Sequence, residues 1–276
     1  MPALSMKKIL KMIDKKQSFA KQNLSLVQLQ GKDLSDRDFE SAILYSADLT
    51  GANLQEANLR FCDLKDSLLR TTRFRLANLR EADLQGARVE EADFWGADLT
   101  GANLCEITDI KYAAFDGVTF FEANLTGSDF SESNVIQQAK LNKAIMKMVN
   151  LEKAILTKTI MEGADLSEAN LKSSILEGAN INSVIFKNAK LSDANLKRVM
   201  CQRANFAKAD LTNVTMQYGD FSGANFEGAN LEGVNFDGAN LRDVNFKNAN
   251  LKKANLSGAH LQGANFEGAE GVKLSS

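Results

Sequence analysis

The residues best able to do chemistry in this chain are one histidine, three cysteines and many aspartates, and their spacing favours structural roles. Catalysis needs convergent groups with tuned pKa values. His260 stands where Asn or Asp stands in neighbouring segments, and Cys62, Cys105 and Cys201 are far apart without a CxxC spacing. The sequence contains no phosphate-binding loop or nucleophile elbow. We therefore expect no enzyme activity and no catalytic, cofactor-binding or metal site.

The elements that carry these residues follow a five-residue repeat. A large apolar residue, here called position i, recurs at every fifth place in 49 units. Position i-2 is Ala in 29 units and Val in eight, position i-1 is usually Asn or Asp, and 16 of the 18 glycines stand at i+2. One extra residue stands at each of the two joins between runs. The runs are 24–104, 110–135 and 141–266.

A step of five does not suit an α-helix, because it advances ~140° around the axis and spreads the apolar residues over all sides. In an extended segment, positions i-2 and i point to the same face. The Asn and Asp residues at i-1 are expected to bond the backbone, and Gly at i+2 suits a corner with positive φ. The sequence therefore predicts a solenoid with one small and one large inward residue per segment.

The units Ala47-Asp48-Leu49 and Ala224-Asn225-Phe226 resemble those of the pentapeptide repeat proteins, and the resemblance covers about residues 22–270. It implies an all-β fold, a right-handed quadrilateral β-helix with four units per coil and about twelve coils. It also implies that residues 20 apart stack, or 21 apart across an extra residue. Two phenylalanine columns should result, one at positions 74, 94 and 115 and the other at positions 186, 206, 226, 246 and 266.

Three segments are predicted. Residues 1–21 form a basic amphipathic capping helix and lead-in, with Met6, Ile9, Leu10 and Ile13 on its apolar face. The lysine-rich face is explained by capping the first coil, with a membrane or nucleic acid as the alternative contact. Residues 22–270 form the repeat domain, with one-residue insertions near 105–109 and 136–140 that we expect to be local bulges rather than a domain boundary. Residues 271–276 form a C-terminal tail.

The composition suits a cytoplasmic protein. The net charge is -2, which excludes strongly basic nucleic-acid binders and strongly acidic decoys. The N-terminus lacks the apolar run of a secretory signal, and no segment approaches the ~20 apolar residues of a membrane span. We expect neither a small-molecule substrate nor nucleic acid as a partner.

The first surface that departs from the repeat lies in the early coils. Arg and aromatic side chains are common anchors at interfaces. Arg75 and Trp95 are both at i+1 and 20 apart, so we expect them within cation–π reach. The alternative is an arginine ladder that stabilises the repeat itself. The arginines are Arg60, Arg70, Arg73, Arg75, Arg80 and Arg88, and the outward aromatic residues are Phe61, Trp95 and Phe121.

The second departure replaces Asn and Asp at i-1 by apolar residues between about 136 and 200. Exposed apolar area usually marks a contact site, here for a second copy or for a foreign protein. The alternative is that β-branched residues merely favour the extended backbone. The candidates are Ile136, Ile145, Met148, Ile155, Ile160 and Ile175, with Ile185 and Met200 in the same pattern.

These features favour a non-catalytic protein-interaction or regulatory scaffold, with self-association as an additional property. The family resemblance extends to cyanobacterial regulators of cell differentiation. The alternative function is that of a DNA mimic that binds type II topoisomerase (gyrase), as quinolone-resistance members of the family do. The near-neutral charge and the early arginines argue against a DNA mimic, whereas Glu227, Glu232 and Asp237 make the late coils mildly acidic.

Overall fold

One five-residue unit shows how the backbone closes on itself. In the computed structural model, which describes residues 3–107, 110, 112–131 and 139–272, the N–H of Phe226 donates to the carbonyl of Asn245 at 2.7 Å. The N–H of Asn245 donates in turn to the carbonyl of Ala224 at 3.0 Å. A β-turn follows, since the N–H of Ala229 donates to the carbonyl of Phe226 at 3.0 Å. Each unit therefore consists of one parallel bridge and one turn.

The bridges define a β-helix solenoid. The described β-structure consists of isolated parallel bridges between i-1 residues, such as Asn225 with Asn245, and it recurs four times in every 20 residues. The residues at i and i-2 point inward, so that Phe226 is 0% and Ala224 1% exposed. Large and small apolar residues alternate because both must fit into one narrow interior. The predicted solenoid is confirmed.

The corners require positive φ at i+2, and glycine is not the only residue that supplies it. Gly228 has a φ of 64°, whereas Lys208 and Glu81 adopt 59° and 57°. Left-handed backbone costs a non-glycine residue on the order of 1 kcal/mol or more. At Lys208 this cost is offset by two hydrogen bonds, because its N–H donates to the carbonyl of Glu227 and the next N–H closes the turn onto Phe206. Glycine is therefore compatible with the corners but not required at them.

The chain forms two compact units, Met1–Asp129 and Phe130–Ser276, here called unit 1 and unit 2. From Asn23 onward, each bridge in unit 1 joins two residues that are 20 positions apart in the sequence. Across the first insertion this separation becomes 21, as between Asp93 and Ala114. The ring centroids of Phe74 and Phe94 lie 4.8 Å apart, and those of Phe94 and Phe115 lie 5.0 Å apart. The predicted column across the insertion is confirmed.

In unit 2 the bridges join residues 20 apart from Lys140 with Ile160 through Asn250 with Glu270. The predicted five-ring column is also confirmed. Its consecutive centroid distances are 4.8, 4.8, 5.4 and 5.1 Å from Phe186 to Phe266. In the coil nearest residue 270 the inward residues are only half-buried, whereas in the other coils of unit 2 the inward apolar residues are almost fully buried.

The second insertion was predicted near 136–140, and residues 132–138 lie outside the described residues. The division between the two units lies just before this segment, after Asp129. The expectation of a bulge rather than a domain boundary at this insertion therefore stays a prediction. The N–H of Phe130 donates to the carbonyl of Asn150 at 2.8 Å, one residue further than in regular coils. This shift matches one extra residue.

The one helix among the described residues, α1, spans Met6–Asp14, and Ser5 is its N-cap residue. It buries Ile9 and Met12. The predicted apolar face was partly wrong, since Met6 and Leu10 are each 38% exposed. The buried side of the helix therefore centres on Ile9 and Met12. The Arg37 guanidinium donates to the carbonyl of Ile13 at 3.0 Å.

Candidate interaction surfaces

The Asn and Asp side chains at i-1 have the structural role predicted for them. The Oδ1 of Asn245 accepts the backbone N–H of Lys247 at 3.1 Å, and its Nδ2 donates to the Oδ1 of Asn225 at 2.9 Å. The first bond fixes the local turn and the second joins neighbouring coils. The same pair of bonds recurs along both units. These side chains are therefore occupied in supporting the backbone.

Three of the early arginines form ion pairs with the following coil. Arg70 contacts Glu90 at 2.7 Å, and Arg80 contacts Asp98 at 3.1 Å. The third, Arg75, pairs with a carboxylate 18 residues later, that of Asp93. Exposed pairs of this kind usually contribute ~0–1 kcal/mol. This arrangement supports the ladder interpretation for these three side chains.

The other early arginines differ from these three. Arg73 and Arg88 are exposed, and neither forms an ion pair within the described part of the chain. The guanidinium carbon of Arg60 lies 5.0 Å from the centre of the Phe61 ring, a cation–π geometry. The arginine cluster is thus partly a ladder and partly unengaged surface.

Trp95 lies at a corner organised by Asp93. One oxygen of the Asp93 carboxylate accepts the backbone N–H of Trp95 at 3.0 Å, and the other accepts from Arg75. The expected cation–π contact was wrong, because the Arg75 guanidinium is held by this carboxylate and not by the indole ring. The Trp95 side chain is 49% exposed. It is therefore free to contact a partner.

Leu76 is an exposed apolar neighbour of Trp95 that was not predicted from the sequence. The Leu76 N–H donates to the Trp95 carbonyl at 3.0 Å, and the Leu76 side chain lies over Gly96. It is also 49% exposed. An available signal was an apolar residue at i+2, where Gly or a polar residue usually stands. We call Leu76 and Trp95 together the Trp95 corner.

The remaining aromatic candidates of unit 1 belong to another corner. Phe61 is at i+2 and exposed, whereas Phe121 is at i+1 and half-buried. Phe121 lies two coils beyond Arg80, and Thr100 occupies the same position on the coil between them. The Gly101 N–H donates to the Phe121 carbonyl at 2.9 Å, which joins the coils of Thr100 and Phe121. The nine residues predicted in unit 1 are therefore distributed over more than one corner.

The isoleucines of unit 2 form one adjacent pair. Ile155 bridges Ile175, as predicted. Ile145 and Ile185 both bridge Asp165, which therefore lies between them. Ile160 and Met200 are likewise separated, by Asn180. All of these except half-buried Ile155 are exposed, but they do not form a continuous apolar patch. Ile136 lies outside the described residues.

Met148 lines a groove at one corner of unit 2. The cavity measures about 260 Å³. Met148 is 63% exposed, and Lys147 on its rim contacts Asp165 at 3.4 Å. The lining residues are Lys147, Met148, Ser167, Glu168, Lys187 and Asn188. This groove brings an exposed apolar side chain and two lysines together.

The chemically reactive residues have environments that fit structural roles. Burial raises the pKa of Cys62 to about 12, and its Sγ donates to the carbonyl of Phe39 at 2.8 Å. Burial also raises the pKa values of Cys201 and of half-buried Cys105. His260 is exposed and bridges Asn240, as expected for a replacement of Asn. Over the described ranges, no group of three His, Cys, Asp or Glu residues is placed to hold a metal.

Comparison with known families decides the classification. A profile described as "Pentapeptide repeats" matches residues 23–60, 33–70, 52–96, 77–105 and 229–268, and one described as "Pentapeptide repeat region" matches residues 149–226. Together they cover well over half of the sequence. The chain belongs to the pentapeptide repeat family. No curated protein sequence matches it significantly. Its described part contains no helix of the length and hydropathy needed to cross a bilayer.

Solved structures of other family members are also similar to this chain. HetL, involved in heterocyst differentiation regulation in the cyanobacterium Nostoc sp. strain PCC 7120, is 26% identical with a TM-score of 0.31. The match covers 98% of this chain and 99% of HetL. A trypsin-treated variant of QnrB1, a plasmid-mediated fluoroquinolone resistance protein, is 20% identical with a TM-score of 0.38, over 68% of this chain and 87% of its own.

Proposed function

We propose that this pentapeptide repeat protein is a non-catalytic interaction scaffold of regulatory type that binds another protein through the irregular parts of its surface. In this proposal the repeat is a right-handed quadrilateral coil, and its 49 units correspond to about twelve coils of four. The four bridges in every 20 residues support this geometry. We place the protein in the cytoplasm, because its three cysteines are all unpaired, as suits a reducing compartment.

The observation that carries the proposal is the Trp95 corner. Trp and Leu side chains cost free energy when left in water, yet both are half exposed here on neighbouring coils. The backbone beneath them is fixed by Asp93 and by the Leu76–Trp95 hydrogen bond. An aromatic side chain on a fixed backbone is typical of binding hot spots, since the backbone loses little conformational entropy on binding.

The acidic residues of the late coils give less support to a DNA mimic. Three of them are paired with lysines: Glu232 with Lys253 at 2.8 Å, Glu267 with Lys247 at 2.9 Å, and Glu270 with Lys252 at 2.6 Å. A duplex mimic requires an uninterrupted row of negative charge. Lysines are interspersed with the acidic side chains here, and we therefore prefer the interaction scaffold.

The proposal is tested by crosslinking and affinity capture from the native host, with wild type and Trp95→Ala compared. We expect Trp95→Ala to reduce recovery of the partner at least about tenfold, as loss of a hot spot would. Tyr45→Ala is the matched control, because Tyr45 is similarly exposed, at 42%. Unchanged capture by a folded Trp95→Ala variant would contradict the role of this corner. Inhibition of gyrase supercoiling by the wild-type protein would instead favour the DNA mimic.

A further inference from the structure

We propose that the partner of the Trp95 corner is a second copy of this chain, which receives Trp95 in the Met148 groove of its unit 2. This inference rests on the proposed function, since it names the partner for the same corner. Three observations support it: the shape and size of the groove, the exposed apolar side chains on both surfaces, and the charges around them.

The groove has the size of a side-chain site. Small-molecule sites usually measure roughly 300–1,000 Å³, and the groove, at about 260 Å³, is smaller. Met148 supplies a flexible apolar wall, which adapts well to an aromatic ring. Ser167, one coil further along, is the smallest lining residue and leaves room at the centre. The groove therefore fits one large apolar side chain better than a metabolite.

The Trp95 corner provides such a side chain. Trp95 is the single tryptophan of the chain, and with Leu76 it forms an exposed apolar projection on unit 1. Met148 is the most exposed of the candidates that the structure describes in unit 2. Contact between these three side chains would remove apolar surface from water on both copies, which stabilises association.

The charges next to the projection and the groove are complementary on balance, since two lysines and one carboxylate, Glu168, line the groove. Asp116 lies one coil beyond Trp95, because the Gly96 N–H donates to the Asp116 carbonyl at 3.1 Å. Its side chain is exposed and forms no ion pair with any described residue. Lys147 and Lys187 lie one coil to either side of Ser167 in the groove. A lysine is therefore within the groove for Asp116 in either alignment of the two copies, with Lys147 exchanging its contact with Asp165.

The wider charge distribution favours a second copy over an unrelated protein. Residues 24–131 contain 19 acidic and 10 basic residues, a net charge of -9, and they include the Trp95 corner. Residues 139–208 contain 12 basic and 6 acidic residues, a net charge of +6, and they include the groove. Each copy therefore carries both halves of an electrostatically matched contact, which also steers their encounter.

The test is sedimentation equilibrium of the full chain at concentrations up to the order of 100 µM. High concentrations are needed because the proposed contact is small, and interfaces that bury less than ~1,200 Å² are usually weak. We expect the wild type to associate, and Trp95→Ala and Met148→Asn each to weaken association at least about tenfold. Asn is chosen at 148 because the position has a φ of 55°, which Asn tolerates. Tyr45→Ala should associate like the wild type.

Charge reversal separates this contact from nonspecific association. Asp116→Lys should weaken association, and combining it with Lys147→Glu and Lys187→Glu should restore it. Added salt should weaken the wild-type assembly, since the charges are exposed. Circular dichroism and the unfolding midpoint show that each variant is folded. A dimer or a longer series of copies supports the proposal if it depends on Trp95 and on Met148.

A wild-type chain that stays monomeric at the highest concentration would overturn this proposal, as would association that neither Trp95→Ala nor Met148→Asn affects. The scaffold function can be judged separately. If the chain is monomeric but Trp95→Ala still loses the partner captured from the host, self-docking is wrong and the scaffold stands. If the chain is monomeric and capture is unchanged by Trp95→Ala, both proposals fail.

Discussion

The coils around Phe94 in unit 1 and those around Phe226 in unit 2 have nearly the same interior and different surfaces. Both rings are fully buried, and each stacks at 4.8 Å on the ring one coil before it. Outside, the neighbours of Phe226 are asparagines bonded from coil to coil, such as Asn225 and Asn245. The corresponding surface near Phe94 carries arginine pairs and exposed Trp95 instead.

This difference shows that the residues at outward positions can vary while the residues at inward positions stay nearly the same. The backbone bridges and the two inward residues of each unit are sufficient to maintain the coil, because the same bridge pattern continues beneath both surfaces. The outward residues can then vary without loss of the fold. This independence allows a binding surface to be placed on a regular repeat, and the following predictions test it.

The largest expected effect is loss of an inward ring. Phe226→Ala should lower the free energy of unfolding of the chain by about 3–5 kcal/mol, since it removes a fully buried ring and leaves a cavity. Phe94→Ala is the matched variant and should cost somewhat less, because its ring stacks on two others, whereas Phe226 also has an edge contact with Phe236 at 5.8 Å. Urea unfolding measures both. A cost for Phe94→Ala below half of that for Phe226→Ala would show that the two interiors are not equivalent.

A smaller effect is expected for the outward asparagines. Asn245→Ala should cost about 1–2 kcal/mol, because the bonds to Lys247 and Asn225 are both lost. Arg75→Ala is the counterpart on the other surface. It should lower the free energy of unfolding by less than ~1 kcal/mol, because it removes only an exposed ion pair with Asp93. The urea midpoints of the two variants provide the comparison. An equal or greater cost for Arg75→Ala would mean that the arginine ladder supports the coil as much as asparagine does.

The sequence was sufficient to predict the solenoid and its phenylalanine columns. The period of five excludes a helix and favours a solenoid, and the family resemblance implies four units per coil, from which the columns follow. The one-residue insertion after Leu104 changes the stacking step to 21, as in Phe94 with Phe115. The corners were less predictable. Lys208 adopts positive φ with its N–H donating to the carbonyl of Glu227, 19 positions away, and no local pattern reveals this bond.

The candidate surfaces could be predicted only as far as residue positions. Exposure of Trp95 followed from its place in the repeat, but the direction of the Arg75 side chain did not. Asp93 and Trp95 both lie within reach of Arg75. The guanidinium pairs with the Asp93 carboxylate because that contact is a charge-assisted hydrogen bond. The face of α1 was also partly misjudged, since helical spacing groups Met6 and Leu10 with Ile9 but does not show which side of that stripe contacts the first coil.

An apolar residue at i-1 should be replaceable at little cost, or with a small gain. Ile185 lies between Asp165 and Asn205 on neighbouring coils. Ile185→Asn would allow hydrogen bonds to both neighbours, and we expect an increase in the free energy of unfolding of about 0.5–1 kcal/mol. The urea midpoint measures it. A loss above ~1 kcal/mol would indicate that Ile185 packs against something that Asn cannot replace.

The smallest expected effect is on acid stability. Burial acts to raise the pKa of Asp98, but hydrogen bonds from the Thr100 hydroxyl and N–H and from Arg80 outweigh it, so that the pKa lies below its ordinary value of 3.8. Its stabilising contribution is therefore complete above pH 3.8 and is lost as the pH falls through the folded pKa. Asp98→Asn should make the urea midpoint less sensitive to pH below about 4. An unchanged pH dependence would contradict this assignment.

The position of Trp95 also determines what intrinsic fluorescence can measure in this protein. The chain has 16 phenylalanines and three tyrosines but one tryptophan, and that residue is outside the core. Intrinsic tryptophan emission therefore reports the polarity at a single corner rather than the packing of the interior. Its spectrum should shift to shorter wavelength when a partner covers the indole, so that binding can be followed without any attached label.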